Sequence, residues 1–498
     1  MKKTINYIFL IITLTTFFNC TENKTTKINA TIVIKNINII DVVNQKTLRN
    51  MTIVIVDNKI SDIKRSLDLK LDNNTKVIDG SNKYVIPGLW DMHFHAVNDR
   101  FYDWDVYNPD STDIEQRKTF APLLVAFGIT GTREMSGSKF SLNLKRQIHN
   151  KELIGPHFIV GTPLVDGAIP LFPGGSTVSV TKPNEAEELV KQFHEDGYDF
   201  IKTYSHLSDE TYKAIHKSAK ELNFEVSGEI PITVSLWEAS DLGHKTVEHL
   251  TGLEVATSSK ENELRSNYRN EVGNLTKETK QKDKIKTWNR SEWEGTLTKD
   301  LNKTKALYNH LENNNTWVVP TLVIQRAISY PNTPSVRTNP NYKYVTKYDT
   351  LVDYLIEEFD PERKLKATYD NRFCSIKELH DAGVGILAGS DMQGGFPLLE
   401  ELGIFVDAGL TPMEALTTAT LNPAKYLDKE DEFGSIDIGK SADLVILNEN
   451  PLENINHLFK IDGVILKGYY LNRDLLDKYL EQTEKDARTL ENEFENSN

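Results

Sequence analysis

An α/β fold flanked by two β-rich ends is predicted by three features of this 498-residue sequence. Apolar runs near both ends alternate with period two. Through the middle, stripes at helical spacing alternate with short β-rich runs, and Pro, Gly, Asn and Asp punctuate the joins. Strand and helix in alternation with short connections imply parallel strands linked by right-handed crossovers. A barrel and a doubly wound sheet both satisfy that rule.

From residue 28 to about 85, the runs T-I-V-I-K, I-N-I-I-D-V-V and N-M-T-I-V-I-V-D-N-K-I read as a small β-unit. Residues 183–197 then place Ala186, Leu189, Val190 and Phe193 on one helical stripe, with Pro183 at the start and Gly197 at the stop. The strand Y-D-F-I-K-T-Y follows, and Ser208 caps a helix carrying Tyr212, Ile215, Ala219 and Leu222 on one face. Strand F-E-V-S-G, helix V-S-L-W-E-A-S-D-L-G and strand K-T-V-E-H-L come next. Residues 258–300 interrupt the rhythm with a charged tract that predicts helices laid over one end of the sheet. Leu297, Leu301, Tyr308 and Leu311 restore a stripe before strand T-W-V-V-P-T-L-V-I. V-G-I-L-A-G-S-D reads as a buried strand, and S-A-D-L-V-I-L with G-V-I-L-K-G-Y-Y-L returns to β-rich composition.

The stretch Y-V-I-P-G-L-W-D-M-H-F-H-A (84–96) carries the first chemical signal. In a strand, alternate side chains share a face, so His93 and His95 project together at one strand end. Either histidine alone would be unremarkable; the pair is a sound start to a metal site if further ligands exist. Functional groups in parallel α/β folds gather at the C-terminal ends of strands. Lys202 ends F-I-K, Glu229 ends V-S-G-E, His249 ends T-V-E-H and Asp391 ends L-A-G-S-D. Five predicted strands therefore deliver polar or charged groups to the same edge.

At the start of the chain, Lys2 and Lys3 precede an apolar stretch too short to span a bilayer, which predicts an export signal over 1–19. It closes on F-F-N-C, which resembles a bacterial lipoprotein box with Cys20 as the lipidated residue, followed by a polar tether over 20–27. The expectation is an exported protein held to the bacterial cell envelope, periplasmic or outer-membrane, by lipid alone. The formal charge of −14 argues against a nucleic-acid partner. With Cys20 acylated, only Cys374 remains, so no intrachain disulfide can form and the body depends on its core.

The motifs V-I-P-G-L-W-D-M-H-F-H, I-K-T-Y-S-H-L, V-E-H-L-T-G, G-S-D, A-G-L-T-P-M-E-A-L-T-T-A-T-L-N-P-A and G-S-I-D-I-G-K-S-A-D-L-V-I-L together resemble the amidohydrolase superfamily, within its imidazolonepropionase-like and Xaa-Pro-dipeptidase-like branch. The resemblance implies a distorted (β/α)8 TIM barrel with a small β-sandwich built from both chain ends. Its divisions would be 28–86 and 426–475 for the sandwich, 87–425 for the barrel with 258–300 inserted, and a helical tail over 476–498.

It also implies a divalent metal site with two ions per chain: His93, His95 and Asp391 on the first, His249 on the second, and Lys202 bridging them as a carbamate formed with carbon dioxide. Zinc is the first expectation. Asp391 would move protons in hydrolysis of a small amide, lactam or dipeptide, with Tyr204 and His206 contacting substrate. A homo-oligomer is compatible with this reading.

Glu229 departs from the pattern, which has histidine here. A carboxylate can ligate a similar ion, but it adds a negative charge and an oxygen, which moves preference toward manganese or ferrous iron. His244, before its strand, is expected to be exposed rather than to replace the missing ligand. A histidine often found before E-L-x-x-x-V-x-A-G in the branch is Leu399 here. Two rivals stand beside the two-ion hydrolase: a one-ion deaminase-like hydrolase, disfavoured by Lys202, and a lipid-anchored binding protein without chemistry.

Overall fold

The computed structural model describes residues 31–65, 71–96, 120–174, 177–345 and 364–497. The expected signal, Cys20 and the tether lie outside these residues, and so does the first part of the chain beyond His95, 97–119.

Both chain ends enter one mixed sheet. Its N-terminal strands are β1 (Ile32–Asp41), β2 (Lys46–Val56), β3 (Lys59–Lys64), β4 (Lys76–Asp79) and β5 (Tyr84–Pro87); β15 (Leu444–Leu447), β16 (Ile461–Leu466) and β17 (Tyr469–Asn472) come from the other end. The order is β17-β16-β15-β5-β1-β2-β3, with β4 also on β1. Ile34, Ile37, Ile53, Ile55, Leu444 and Ile465 share its core, so the ends are fastened by burial of apolar surface.

The middle of the chain is α/β. Strands β6 (Leu89–Phe94), β7 (Ile129–Glu134) and β8 (His157–Val160) pair in parallel, and so do β9 (Leu164–Asp166), β10 (Thr177–Ser179), β11 (Phe200–Thr203), β12 (Glu225–Gly228), β13 (Thr246–Glu248) and β14 (Trp317–Val319). A parallel bridge joins Gly161 to Phe200, and another joins Val318 to Ile386. The 386–391 segment is further tied to β6, where Met92 N donates to Ala388 O and Asp391 N to His93 O. This is a mixed α/β fold consistent with a TIM-barrel-like domain. Among the described residues no helix is long and apolar enough to cross a membrane.

Several local expectations need correction. The run T-W-V-V-P-T-L-V-I is strand only to Val319; Pro320 has no donor, Thr321 sits at φ +49°, and a helix, Leu322–Ser329, takes over. V-G-I-L-A-G-S-D forms only an isolated bridge. Leu297 and Leu301 are 61% and 68% exposed, because one ends a helix, Gln281–Leu297, and the other opens the next at its Asp300 cap. Tyr308 and Leu311 are buried. Within 258–300 lie two helices, Glu261–Gly273 and Gln281–Leu297.

Candidate metal centre

Three histidines from the ends of two strands come together. The ring of His93, last but one in β6, lies 5.3 Å from that of His95 and 4.5 Å from that of His249, just beyond β13. Asp391 Oδ1 is 2.9 Å from His95 Nε2 and 3.6 Å from His93 Nε2, and ligand atoms of His93, His95 and Asp391 all fit within 4.8 Å. On the other side, Glu229 Oε1 is 3.0 Å from His249 Nε2 and Glu229 Oε2 is 2.8 Å from Lys202 Nζ. All six strand-end groups singled out in the sequence thus share one pocket of charge.

The backbone is bent to achieve this. His249 and Asp391 have φ of +58° and +53°, in the left-handed region that non-glycine residues avoid. Such strain persists where the surrounding structure over-determines it, typically at functional sites. Gly228, at φ +129°, turns β12 into Glu229, and a Cβ there would meet Thr203 O at 2.5 Å. At Gly389 a Cβ would meet His93 Cβ at 2.7 Å, so only glycine lets the Asp391 segment approach β6.

The His93 and His249 rings are oriented through their second nitrogens. His93 Nδ1 lies 2.7 Å from Glu248 Oε2, and Glu248 Oε1 accepts from Arg133 Nη2 at 2.7 Å. All three groups are fully buried. Burial opposes the charge on Glu248, yet Arg133 and His93 together outweigh it and hold the carboxyl well below the usual range. An ionised Glu248 can only accept, so His93 carries its proton on Nδ1 and presents a lone pair at Nε2. Burial, aided by Lys202 and His249, lowers His93 to about 3, which keeps that ring neutral. His249 Nδ1 is 2.6 Å from Thr321 Oγ1, and His95 Nδ1 is 3.6 Å from Glu134 Oε1. Asp91 accepts from the N–H groups of His93 and Ser390 and from Ser390 Oγ, locking two ligand-bearing segments together.

A metal fits this donor set. His93 Nε2 is buried without a hydrogen-bond partner, which is costly for a polar group unless something else satisfies it, while Lys202 Nζ and Glu229 Oε2 pair with each other. Imidazoles with carboxylates, the His93 ring held from behind by Glu248 and that of His249 by Thr321, are donors divalent ions choose. Burial disfavours an ionised Glu229, but Lys202 and His249 overcome it and lower the carboxyl to about 2.

The structure parts the remaining candidates. Tyr204 lines the cavity beside Glu229, His249 and Asp391. His206 is not among the cavity's residues; its Nδ1 is 2.7 Å from Ile169 O and its N–H donates to Asp166. His244 is buried, not exposed: helix Asp209–Glu221 covers it, Tyr212 OH meets its Nδ1 at 2.9 Å, and its Nε2 is 3.1 Å from Gly228 O. Leu399 is buried in helix Phe396–Asp407. Sequence reasoning missed Arg133, Glu248, Thr321 and Asp91. Only Glu248 had a signal, its place beside His249.

Known proteins give the geometry a family. The imidazolonepropionase of Geobacillus sp. (strain WCH70) is 35% identical over 90 residues, 17% of this chain and 21% of that protein. Ochratoxinase of Aspergillus niger is 37% identical over 94 residues, 18% of this chain and 20% of that protein. The matches thus span about a fifth of each curated relative. A crystal structure of a Xaa-Pro dipeptidase with bound methionine superposes with a TM-score of 0.63 at 21% identity, covering 89% of this chain and 99% of that one, a likeness of fold. A match to the amidohydrolase family runs over residues 84–470 and takes in every ligand candidate. On that match, the chain belongs to the amidohydrolase family.

Proposed function

We propose that this protein is a metal-dependent hydrolase that cleaves the C–N bond of a small amide, lactam or dipeptide. The observation that carries this is the convergence of His93, His95, His249 and Asp391 about the buried His93 Nε2, which has no hydrogen-bond partner. His93, His95 and Asp391 would hold one divalent ion; His249, Glu229 and Lys202, the lysine as a carbamate formed with carbon dioxide, would hold a second. When bound, such ions lower the pKa of water and polarise a carbonyl. Asp391 takes the proton of the attacking water and returns it to the leaving nitrogen. Glu248 and Arg133 fix the His93 ring, and Tyr204 borders the substrate. Relatives named imidazolonepropionase and ochratoxinase, and dipeptidases of similar fold, support C–N hydrolysis.

The same reading takes the parallel strands as a distorted eight-stranded barrel. Supporting it are the links of β8 to β11, of β14 to Ile386 and of Ala388 back to β6. It takes the mixed sheet as the β-sandwich of both chain ends, and Cys20 as a lipid anchor to the cell envelope.

A one-ion site is the second reading. Lys202 lies 2.8 Å from Glu229, and a protonated lysine paired in this way cannot form a carbamate. Metal analysis after reconstitution with manganese or zinc, with and without bicarbonate, separates the two on wild type and Glu229→His. A screen of dipeptides and N-acyl amino acids runs alongside. Substoichiometric metal under every condition sinks the hydrolase and favours a binding-only protein. One ion per chain, indifferent to bicarbonate, selects the second reading.

A further inference from the structure

The interruption at 258–300 has so far no role, yet its second helix reaches the metal centre. Trp288 and Glu292 of Gln281–Leu297 line the same cavity as Glu229, His249 and Asp391. Phe172, Tyr204, Ile324, Ile328 and Leu365 supply an apolar part of that wall. Phe172 and Tyr204 meet edge to face, with ring centroids 5.9 Å apart.

Arg372 is the wall's one arginine or lysine among the described residues, and it is already engaged. Its Nε and Nη2 bind Glu254 at 3.0 and 2.9 Å, Nη2 also reaches Glu292 at 3.2 Å, and Nη1 donates to Gln325 at 3.0 Å. Burial, with Glu254 beside it, pushes the Glu292 carboxyl well above its usual range, so the trio is close to neutral. A substrate carboxylate would have to displace a bidentate buried partner from Arg372, which is expensive.

Meanwhile three neutral groups of this wall lack partners: Ser205 Oγ, Thr368 Oγ1 and Trp288 Nε1. Buried hydroxyl and indole groups left open in a ligand cavity are the usual handles for a neutral carbonyl or hydroxyl.

We infer that the cavity takes an amide whose bulky part is uncharged, an aromatic or branched aliphatic group bearing a neutral carbonyl, with Trp288 of the inserted helix as its main contact. This rests on the hydrolase reading for the bond cleaved, but not for the ligand bound.

The test uses metal-loaded full chain and N-acetyl amides of phenylalanine, glutamate and lysine, together with ketomethylene isosteres that cannot be cleaved. Calorimetry should find the phenylalanyl isostere bound about tenfold or more tighter than either charged one. Trp288→Ala should erase that preference and Trp288→Phe should keep most of it. Should circular dichroism show Trp288→Ala misfolded, Ile324→Ala, also in the cavity wall, serves instead and should weaken the phenylalanyl isostere alone. Equal binding of the three isosteres, or tighter binding of a charged one, overturns the inference, even where charged amides are cleaved. A phenylalanyl preference with no amide cleaved supports the inference while the hydrolase reading fails.

Discussion

The chain buries two groups of histidines, and they behave differently. In one, His93, His95 and His249 stand with ring centroids 4.5 and 5.3 Å apart; in the other, His216 and His244 lie 5.7 Å apart against Tyr212. Ring proximity is alike, though His95 and His249 are only partly buried while His216 and His244 are buried. What separates them is anions. Around the first, Asp391 and Glu229 face the Nε2 atoms, while Glu248 and Glu134 lie behind the Nδ1 atoms. The second is met by a phenol and a carbonyl, Tyr212 OH and Gly228 O. A histidine cluster becomes a credible cation site when carboxylates both face it and orient it from behind. Without them it is packing.

The anchor behind the first group offers the strongest way to break this contrast. Arg133 also donates to Met92 O, Thr246 Oγ1 and Tyr426 OH, so all its polarity is spent inside the protein. Arg133→Met leaves Glu248 charged and buried, which should cost about 3–5 kcal/mol in urea unfolding. Adding Glu248→Gln should restore part of it, since the stranded charge goes too. A loss within about 0.5 kcal/mol, the range of ordinary surface substitutions, would mean the pair anchors nothing.

Glu248→Gln alone sharpens the point with a smaller effect. A neutral amide can turn its NH2 toward His93 Nδ1, so the ring no longer has one enforced tautomer. Metal affinity, read by competitive titration, should fall about 10–100-fold. His244→Asn, in the second group, should leave that affinity where it was. If both variants bind metal alike, the carboxylate behind His93 is not what distinguishes the two groups.

The legible part of this arrangement was local. Alternation in a strand put His93 and His95 on one face, and the end-of-strand positions of Lys202, Glu229, His249 and Asp391 followed from runs a few residues long. Arg133 and Glu248 are 115 residues apart, and no periodicity announces a contact between strands of two separate sheets. Burial of His244 depends on Tyr212 of a covering helix, so a position before a strand misled. Leu297 and Leu301 failed for another reason: a stripe was read across a helix boundary that Asp300 sets through its cap. The parallel α/β middle and the joining of the two ends were visible because periodicity and composition change where the architecture does.

Acid should expose the second group. Burial, helped by its neighbour His244, lowers His216 to about 3, and burial lowers His244 to about 4 despite Gly228 O, Thr246 and the charges of Glu248 and Glu229. Tyr212 and the backbone of Leu242 also face them. Both folded values lie below the unfolded one, so the unfolded chain binds protons that the native chain refuses. Their contribution is therefore whole above about pH 6.5 and is lost as pH falls toward 4, at up to about 1.4 kcal/mol per pH unit for each ring. His93, lowered to about 3, adds a slope of the same sign, so wild type alone cannot isolate the pair. His216→Phe can. Between pH 6 and 5 the unfolding free energy of that variant should fall less steeply than wild type by about one proton's worth, with metal chelated in both. Parallel slopes would mean that His216 already takes its proton in the folded protein, and that the packed cluster is wetter than its surroundings suggest.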